Sequence, residues 1–541
     1  MASTQEVAFN VNLVKNSTAE EDGGGWAPVG SRTTVLSVHN DGLLVAGRAD
    51  DEDGMRQAIP DGALKPRVTY RVTGWISLQG TAGSGAAEVR VSLRVEGGGS
   101  DDEACSWVEC AEVAAGGWTE INGTFRLKTE PRAASVYVHG APAGVDVMVK
   151  DLRVFATDRQ SRFRELQDKT DKARKRDVVL KLGGAAGEAA SIRVVQLDNA
   201  FPFGSCINGT VVQNGAFVDF FSNHFSWAVF ENELKWYHTE PQQGQVSYAD
   251  ADALLGFCER HGKRVRGHCV FWAVESNVQQ WVKDLGRDDL QPAVKARLEG
   301  LVSRYAGRFG HYDVNNEMLH GRFFRDRLGE GAPAIMFREA ARIDPGAQLF
   351  VNDYNVECGD DPNATPDKYM ELISELQRGG ATVGGIGLQG HVTRPVGEVV
   401  SGALDRLAAT GIPIWFTELD VSEPDVGLRA ADLEVMLREA FAHPAVHGVV
   451  LWGFMQGQMW RQDAYLVDAD GTVNEAGQMF LNLQREWKTD VRGNVDGDGS
   501  FAFRGFHGSY VAQIVSEAGE VQLKAFTVEK GDTTLVLDLD A

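Results

Sequence analysis

Two short apolar runs in this chain of 541 residues end on a glutamate. The first, His311-Tyr312-Asp313-Val314-Asn315-Asn316-Glu317, presents an amide and then a carboxylate; the second, Pro413-Ile414-Trp415-Phe416-Thr417-Glu418, presents a carboxylate alone. Burying an unpaired carboxylate is costly, so a single strand-end Glu is ordinarily an ion-paired or exposed structural residue. A pair changes the reading. Facing carboxyl groups are the equipment of glycoside hydrolysis, which needs a proton donor for the leaving oxygen and stabilisation of positive charge at the anomeric carbon.

Those two runs belong to a longer series. Strand-like apolar runs at Phe201–Ile207, Phe225–Phe230, Val265–Phe271, Tyr312–Asn315, Leu349–Asp353, Gly385–Gln389, Ile414–Thr417 and Val446–Trp452 alternate with helical segments. Eight such units close naturally into a (β/α)8 barrel over residues 184–488, with its site at the C-terminal ends of the strands. Polar and aromatic residues do cluster just after the runs. A lone His is commonly a satisfied core residue, a Lys a surface ion pair and a Trp plain core. Their repeated placement at strand ends favours a site.

Around the barrel the composition shifts twice. Residues 1–157 alternate short β-type runs with Gly-rich turns, which predicts a jelly-roll-like β-sandwich. Residues 158–183 are densely charged and helix-forming, from Arg162-Phe163-Arg164-Glu165 to Lys172-Ala173-Arg174-Lys175-Arg176, and read as a linker helix with a solvated face. Residues 489–541 are Gly-rich and β-like, a small accessory domain. Its Asp496-Gly497-Asp498-Gly499 piece lacks the Glu ligand and flanking helices of a calcium loop, and reads as a hairpin turn.

Composition narrows the partners. With 53 Lys and Arg against 76 Asp and Glu, the formal charge is -23. Such a surface repels phosphate backbones and anionic lipid, so neither nucleic acid nor a membrane is expected as a partner. No apolar run is long enough to span a bilayer. The six cysteines fall in no zinc or redox spacing, and no metal or cofactor is expected. The signal-free N-terminus and unpaired cysteines predict a cytoplasmic location, from which release would need lysis or an unconventional route. The sequence leaves the oligomeric state open.

The barrel resembles glycoside hydrolase family ten, the endo-β-1,4-xylanases, particularly their plant branch. The resemblance rests on Glu231-Asn232-Glu233-Leu234-Lys235-Trp236, Arg266-Gly267-His268-Cys269-Val270-Phe271-Trp272, Asp313-Val314-Asn315-Asn316-Glu317, Gly387-Leu388-Gln389-Gly390-His391, Thr417-Glu418-Leu419-Asp420 and Val450-Leu451-Trp452-Gly453 with Trp460 beyond. It implies a retaining endo-xylanase acting on xylan or xylo-oligosaccharides. Glu317 would be the acid/base, Glu418 the nucleophile kept ionised by donors such as His391, and Asn316 the partner of the sugar 2-hydroxyl. Glu231, Asn232 and Lys235 would hold the sugar one residue beyond the cleaved bond. His268, Trp272, Tyr354, Gln389, Trp452 and Trp460 would line the cleft. One position departs: many members carry a second His after the strand-three Trp, and here it is Ala273.

Two alternatives stand beside this reading. One is a catalytically silent glycan-binding barrel, and the other a retaining glycosidase of another β-1,4-glycan. The N-terminal region resembles a family twenty-two carbohydrate-binding module through Gly25-Trp26, Gly74-Trp75-Ile76, Gly117-Trp118 and Gly144-Val145-Asp146. In that family an aromatic platform and polar partners grip xylan in a cleft. The platform tryptophan falls here at Glu52 and the cleft glutamate at His139, while Tyr137 remains and Trp107 stands near a family tyrosine. The substitutions predict a module that binds xylan poorly.

Overall fold

The computed structural model describes the chain except for residues 1–6, 16–24, 39–41, 80–85, 97–103, 114, 183–189, 360, 517–518 and 540–541, and the side chains of 104–107, 109 and 110, so Trp107 lies outside the description. The chain divides into two units, with the boundary between Ser161 and Arg162.

The N-terminal unit is a sandwich of two five-stranded sheets. Its strands alternate as half-buried antiparallel strands should. In Gly54–Ile59, for example, Met55, Gln57 and Ile59 point inward while Arg56 and Ala58 are exposed. The core between the sheets is mainly aliphatic, built on residues such as Val45, Met55, Val72, Ile76, Val89, Val91, Val138 and Val149, with Trp26 and the stacked Tyr70 and Phe125 rings among them.

The second unit holds the barrel. Its parallel strands are β1 (Phe203–Ile207), β2 (Trp227–Phe230), β3 (Arg264–Gly267), β4 (His311–Asp313), β5 (Gln348–Asp353), β6 (Gly385–Leu388), β7 (Ile414–Val421) and β8 (Val446–Leu451). β1 pairs with both β2 and β8, which closes the ring. The interior is filled by Cys206, Trp227, Val229, Phe350, Trp415, Val450 and Trp452. The Trp227 and Trp415 rings meet at 5.1 Å between centroids. This aromatic plug gives the polar residues above it a buried, apolar floor.

The flanking segments depart from expectation. The strand Lys175–Lys181 lies between Ser500–Phe506 and Leu535–Asp538. Ser191–Asn199 lies between Asp490–Asn494 and Gly508–Val515. The accessory β structure is therefore not confined to residues 489–541, and the strand Ser191–Asn199 belongs to it and not to the barrel sheet. Its core joins Val178, Leu180, Ile192 and Val194 to Tyr510, Ala512 and Ile514. Neither half carries enough apolar surface alone, so each completes the other across the barrel's length of sequence. The Asp496–Gly499 turn, held by Gly499 N donating to Asp496 O at 3.0 Å, connects strands of different sheets and closes no hairpin ladder.

Helix α1 (Arg159–Arg174) forms where predicted and keeps the solvated face expected of it, at Arg164, Glu165, Gln167, Asp168 and Lys169, but its other side is anchored. Arg162 donates to both carboxylate oxygens of Glu439, at 2.7 and 2.8 Å, with the Glu side chain 1 % exposed. Arg174 donates to the carbonyls of Phe441, His443 and Val446 and lies over the Phe201 ring. Two of its charges are thus clamps into the barrel wall. Severing such a buried pair typically costs about 3–5 kcal/mol.

Candidate active site

Beyond β3 and β4 the backbone makes a second short parallel pairing, Phe271–Trp272 with Asn315–Asn316. It sets Trp272 beside the residue that follows Asn316. Glu317 adopts a left-handed backbone with φ of 60°, a conformation uncommon for a residue with a side chain. Three contacts hold the bend: Glu317 N donates to Asn352 O at 2.9 Å, Leu319 N to Asp353 Oδ2 at 2.7 Å, and His320 Nδ1 meets Asp353 Oδ1 at 2.6 Å. Trp272 Nε1 donates to Glu317 Oε2 at 2.7 Å, while Gln389 and Asn316 donate to Oε1 at 3.0 and 3.2 Å. Burial pushes the Glu317 carboxyl above its ordinary value against those donors, helped by the charges of Asp353 and Glu418. A carboxyl so placed keeps its proton longer than an exposed one.

Glu418 sits inside β7 under the opposite influence. Burial works to raise its pKa, but the His268 and His391 imidazoles and the Lys235 ammonium overcome it and hold the carboxyl at about 2. Asn352 Nδ2 donates to Oε1 at 2.8 Å, and His391 Nε2 lies 3.3 Å from Oε2. His391 is itself placed by a short pairing of His391–Val392 with Asp420–Val421. Its Nδ1 forms an ion pair with Asp420 Oδ2 at 3.0 Å, without the alignment of a full hydrogen bond. Burial alone would lower the His391 pKa, yet Asp420 and Glu418 raise it to about 10. Arg461 and Trp460 complete the chain by donating to Asp420 at 2.7 and 3.1 Å.

The remaining expected residues gather around these two carboxylates. His268 Nδ1 lies 2.9 Å from Asp313 Oδ2 and 3.8 Å from Glu418 Oε1. Lys235 Nζ donates to Asn232 Oδ1 at 3.2 Å and lies over the Trp272 ring, with Trp452 farther off. Glu231 accepts from Asn208 at the end of β1. Trp460 is 60 % exposed, an open aromatic face at the mouth. Tyr354 stacks on His320 with centroids 3.7 Å apart, so one of its faces is already covered. Ala273 packs against the backbone of Gly321, where a Cβ would fall 2.3 Å from the Ala273 carbonyl carbon.

Sequence reading missed the supports. Asn352 joins the two halves, donating to Asn316 Oδ1 at 2.9 Å and to Glu418, and accepting from Thr417. Asp313, Asp353, Asp420 and Arg461 act the same way on the residues they touch. The available signal was position: Asn352-Asp353 ends β5 as Glu418 ends an apolar run.

Residues 192–482 match the Glycosyl hydrolase family 10 profile, and residues 11–144 match a Carbohydrate binding domain profile. Endo-1,4-beta-xylanase 3 of Arabidopsis thaliana is 48% identical over 98% of this chain and 74% of its own length. The chain belongs to glycosyl hydrolase family 10. Endo-1,4-beta-xylanase 1 of the same plant is 43% identical over 99% of the chain, which spans 59% of that protein. A further relative, Anti-sigma-I factor RsgI6 of Acetivibrio thermocellus, is 42% identical over 64% of the chain and 46% of its own length.

The carbohydrate-binding-like unit has a cluster of similar residue types with a different outcome. Tyr137 is fully buried. Its ring is stacked between His139, 4.3 Å away and nearly parallel, and the Arg94 guanidinium at 4.1 Å. Its hydroxyl donates to Glu52 O, while His139 Nε2 meets Ser92 Oγ at 2.9 Å and Nδ1 lies 3.3 Å from Glu52 Oε2. Among the described residues no group of three or more His, Cys, Asp or Glu could hold a metal ion.

Proposed function

We propose that this chain cleaves internal β-1,4-xylosidic bonds of xylan with retention of anomeric configuration. The observation that carries the reading is the divergence of two neighbouring carboxyl environments, Glu317 pushed up and Glu418 held at about 2. Such a pair divides the labour of a retaining glycosidase. Glu418 attacks the anomeric carbon, and the bond to the leaving oxygen breaks as Glu317 gives that oxygen its proton. Forming the ester removes the Glu418 charge that helped raise the Glu317 pKa, so Glu317 becomes a better resting carboxylate. It then takes a proton from water as the water oxygen attacks the anomeric carbon and releases Glu418. Asn316, fixed by Asn352, bonds the sugar 2-hydroxyl as the transition state forms. Glu231, Asn232 and Lys235 hold the adjoining sugar, and Trp272, Trp452 and Trp460 offer aromatic surface to its C–H faces.

Reducing ends released from xylan and from a β-1,4-glucan, measured in parallel, test the substrate. Release from xylan with little from glucan is expected. Preference for glucan would move the assignment to another β-1,4-glycan, and release from neither would favour a silent glycan-binding barrel.

A cytoplasmic resting location is part of the same proposal. Cys206, Cys258 and Cys269 are buried free thiols, and burial raises the pKa of each. Asn208 lies in an Asn-x-Thr sequence, yet its side-chain nitrogen donates to Glu231, and a glycan on that nitrogen would crowd the site. N-linked glycan on the native protein would contradict the location.

A further inference from the structure

We infer that, in the N-terminal unit, the outer face of the sheet containing the strand Thr69–Gln79 carries a polysaccharide-binding strip built on Trp75 and Trp118, whose occupant is a neutral xylan chain. The strand Thr69–Gln79 turns Tyr70, Val72 and Ile76 into the core, fully buried, and sends Trp75 the other way, 37 % exposed. Trp75 is in register with Glu120 on one neighbouring strand and Lys150 on the other. Trp118 lies two residues before Glu120, so it shares that outward face, and it is 39 % exposed. Lys150 Nζ reaches across to within 5.0 Å of the Trp118 ring centroid, and Ser77 beneath is 2 % exposed.

The two indoles stand outside the core cluster between the sheets, on the outward side where Ser77 and Met148 are buried beside them, and each still keeps an exposed part. Diagonal neighbours across strands lie roughly 7–8 Å apart, so the rings form a strip instead of a pocket. A strip without walls selects a polymer over a free sugar. Indole faces take the apolar C–H surface of a sugar ring, while Lys150 donates to hydroxyls and Glu120 accepts from them. The strip pairs one positive with one negative group, and the chain's charge of -23 disfavours a polyanion. On the opposite sheet Tyr137 is covered by its own neighbours, whereas Trp75 and Trp118 are 37 % and 39 % exposed. The choice of xylan rests on the proposed activity of the barrel; the strip itself does not. A weak site of this kind keeps the barrel near its polymer by raising local concentration.

The test uses the full chain with Glu317→Gln, so that bound polymer is not consumed, on soluble xylan by affinity electrophoresis and on insoluble xylan by pull-down. Adding Trp75→Ala with Trp118→Ala should weaken retention by about tenfold or more, the scale of losing ring stacking. Lys150→Met, a surface change that leaves the fold intact, should weaken it severalfold. In the active chain the same tryptophan pair should leave xylohexaose turnover unchanged and slow release from insoluble xylan. Retention equal to the parent's in both variants would overturn the strip, as would equal losses on xylohexaose and polymer. Absence of hydrolysis in the unmodified chain with tryptophan-dependent retention would instead refute the catalytic reading alone.

Discussion

The barrel mouth and the Tyr137 cluster use the same side chains to opposite ends. In both, a histidine stands between a carboxylate and further polar groups, with an aromatic ring and an arginine close by. In the barrel, the chain Arg461–Asp420–His391–Glu418 ends on a carboxylate that must face substrate, and Trp460 beside it is 60 % exposed. In the N-terminal unit, His139 meets Ser92 on one side and the Glu52 carboxylate on the other, and the Tyr137 ring is fully buried between His139 and Arg94. The difference shows that an aromatic residue becomes a sugar platform only when its own protein leaves a face uncovered. Residue type alone does not decide it.

Substitutions can break this contrast in a definite order. Glu418→Ala should reduce kcat on order of 10^4-fold or more, as removal of a nucleophile does in residues that act as a unit. Asn352→Ala should cost roughly 10²–10³-fold, the scale of one preorganised donor. It should also move the acid limb of the pH–rate profile upward. Without that donor the Glu418 anion is less stabilised, its pKa rises from about 2, and more acid is tolerated less well. Arg461→Met acts one contact farther out and should shift the same limb upward by less, with kcat falling more than KM changes.

Gln389→Ala sharpens the other side of the pair. Gln389 stabilises the ionised form of Glu317, so its loss should raise that pKa further and move the basic limb to higher pH. Tyr137→Ala should have the smallest effect on catalysis. It should destabilise the N-terminal unit by about 3–5 kcal/mol, as loss of a core aromatic does, read by a lowered thermal transition. Turnover of xylohexaose should not change.

The sequence disclosed the barrel well because its signal is local. Each strand is a short apolar run followed by polar residues, so all eight strands and the gathering of Glu317, Glu418, His268, Gln389 and His391 could be anticipated. Partnerships across long separations were not legible. Lys175–Lys181 finds its neighbours beyond the barrel, and Arg162 finds Glu439, through contacts that no periodicity encodes. Asn352, Asp420 and Arg461 were passed over for a related reason. Their work is done on other side chains, and only the fold brings those side chains within reach.

The central claim is the double displacement, and the anomeric configuration of the first product tests it most directly. Proton NMR of xylohexaose hydrolysis should show the β-anomer appearing before mutarotation, and Glu418→Ala with azide should regain turnover as an α-glycosyl azide. An initial α-anomer from the unmodified chain would contradict the mechanism.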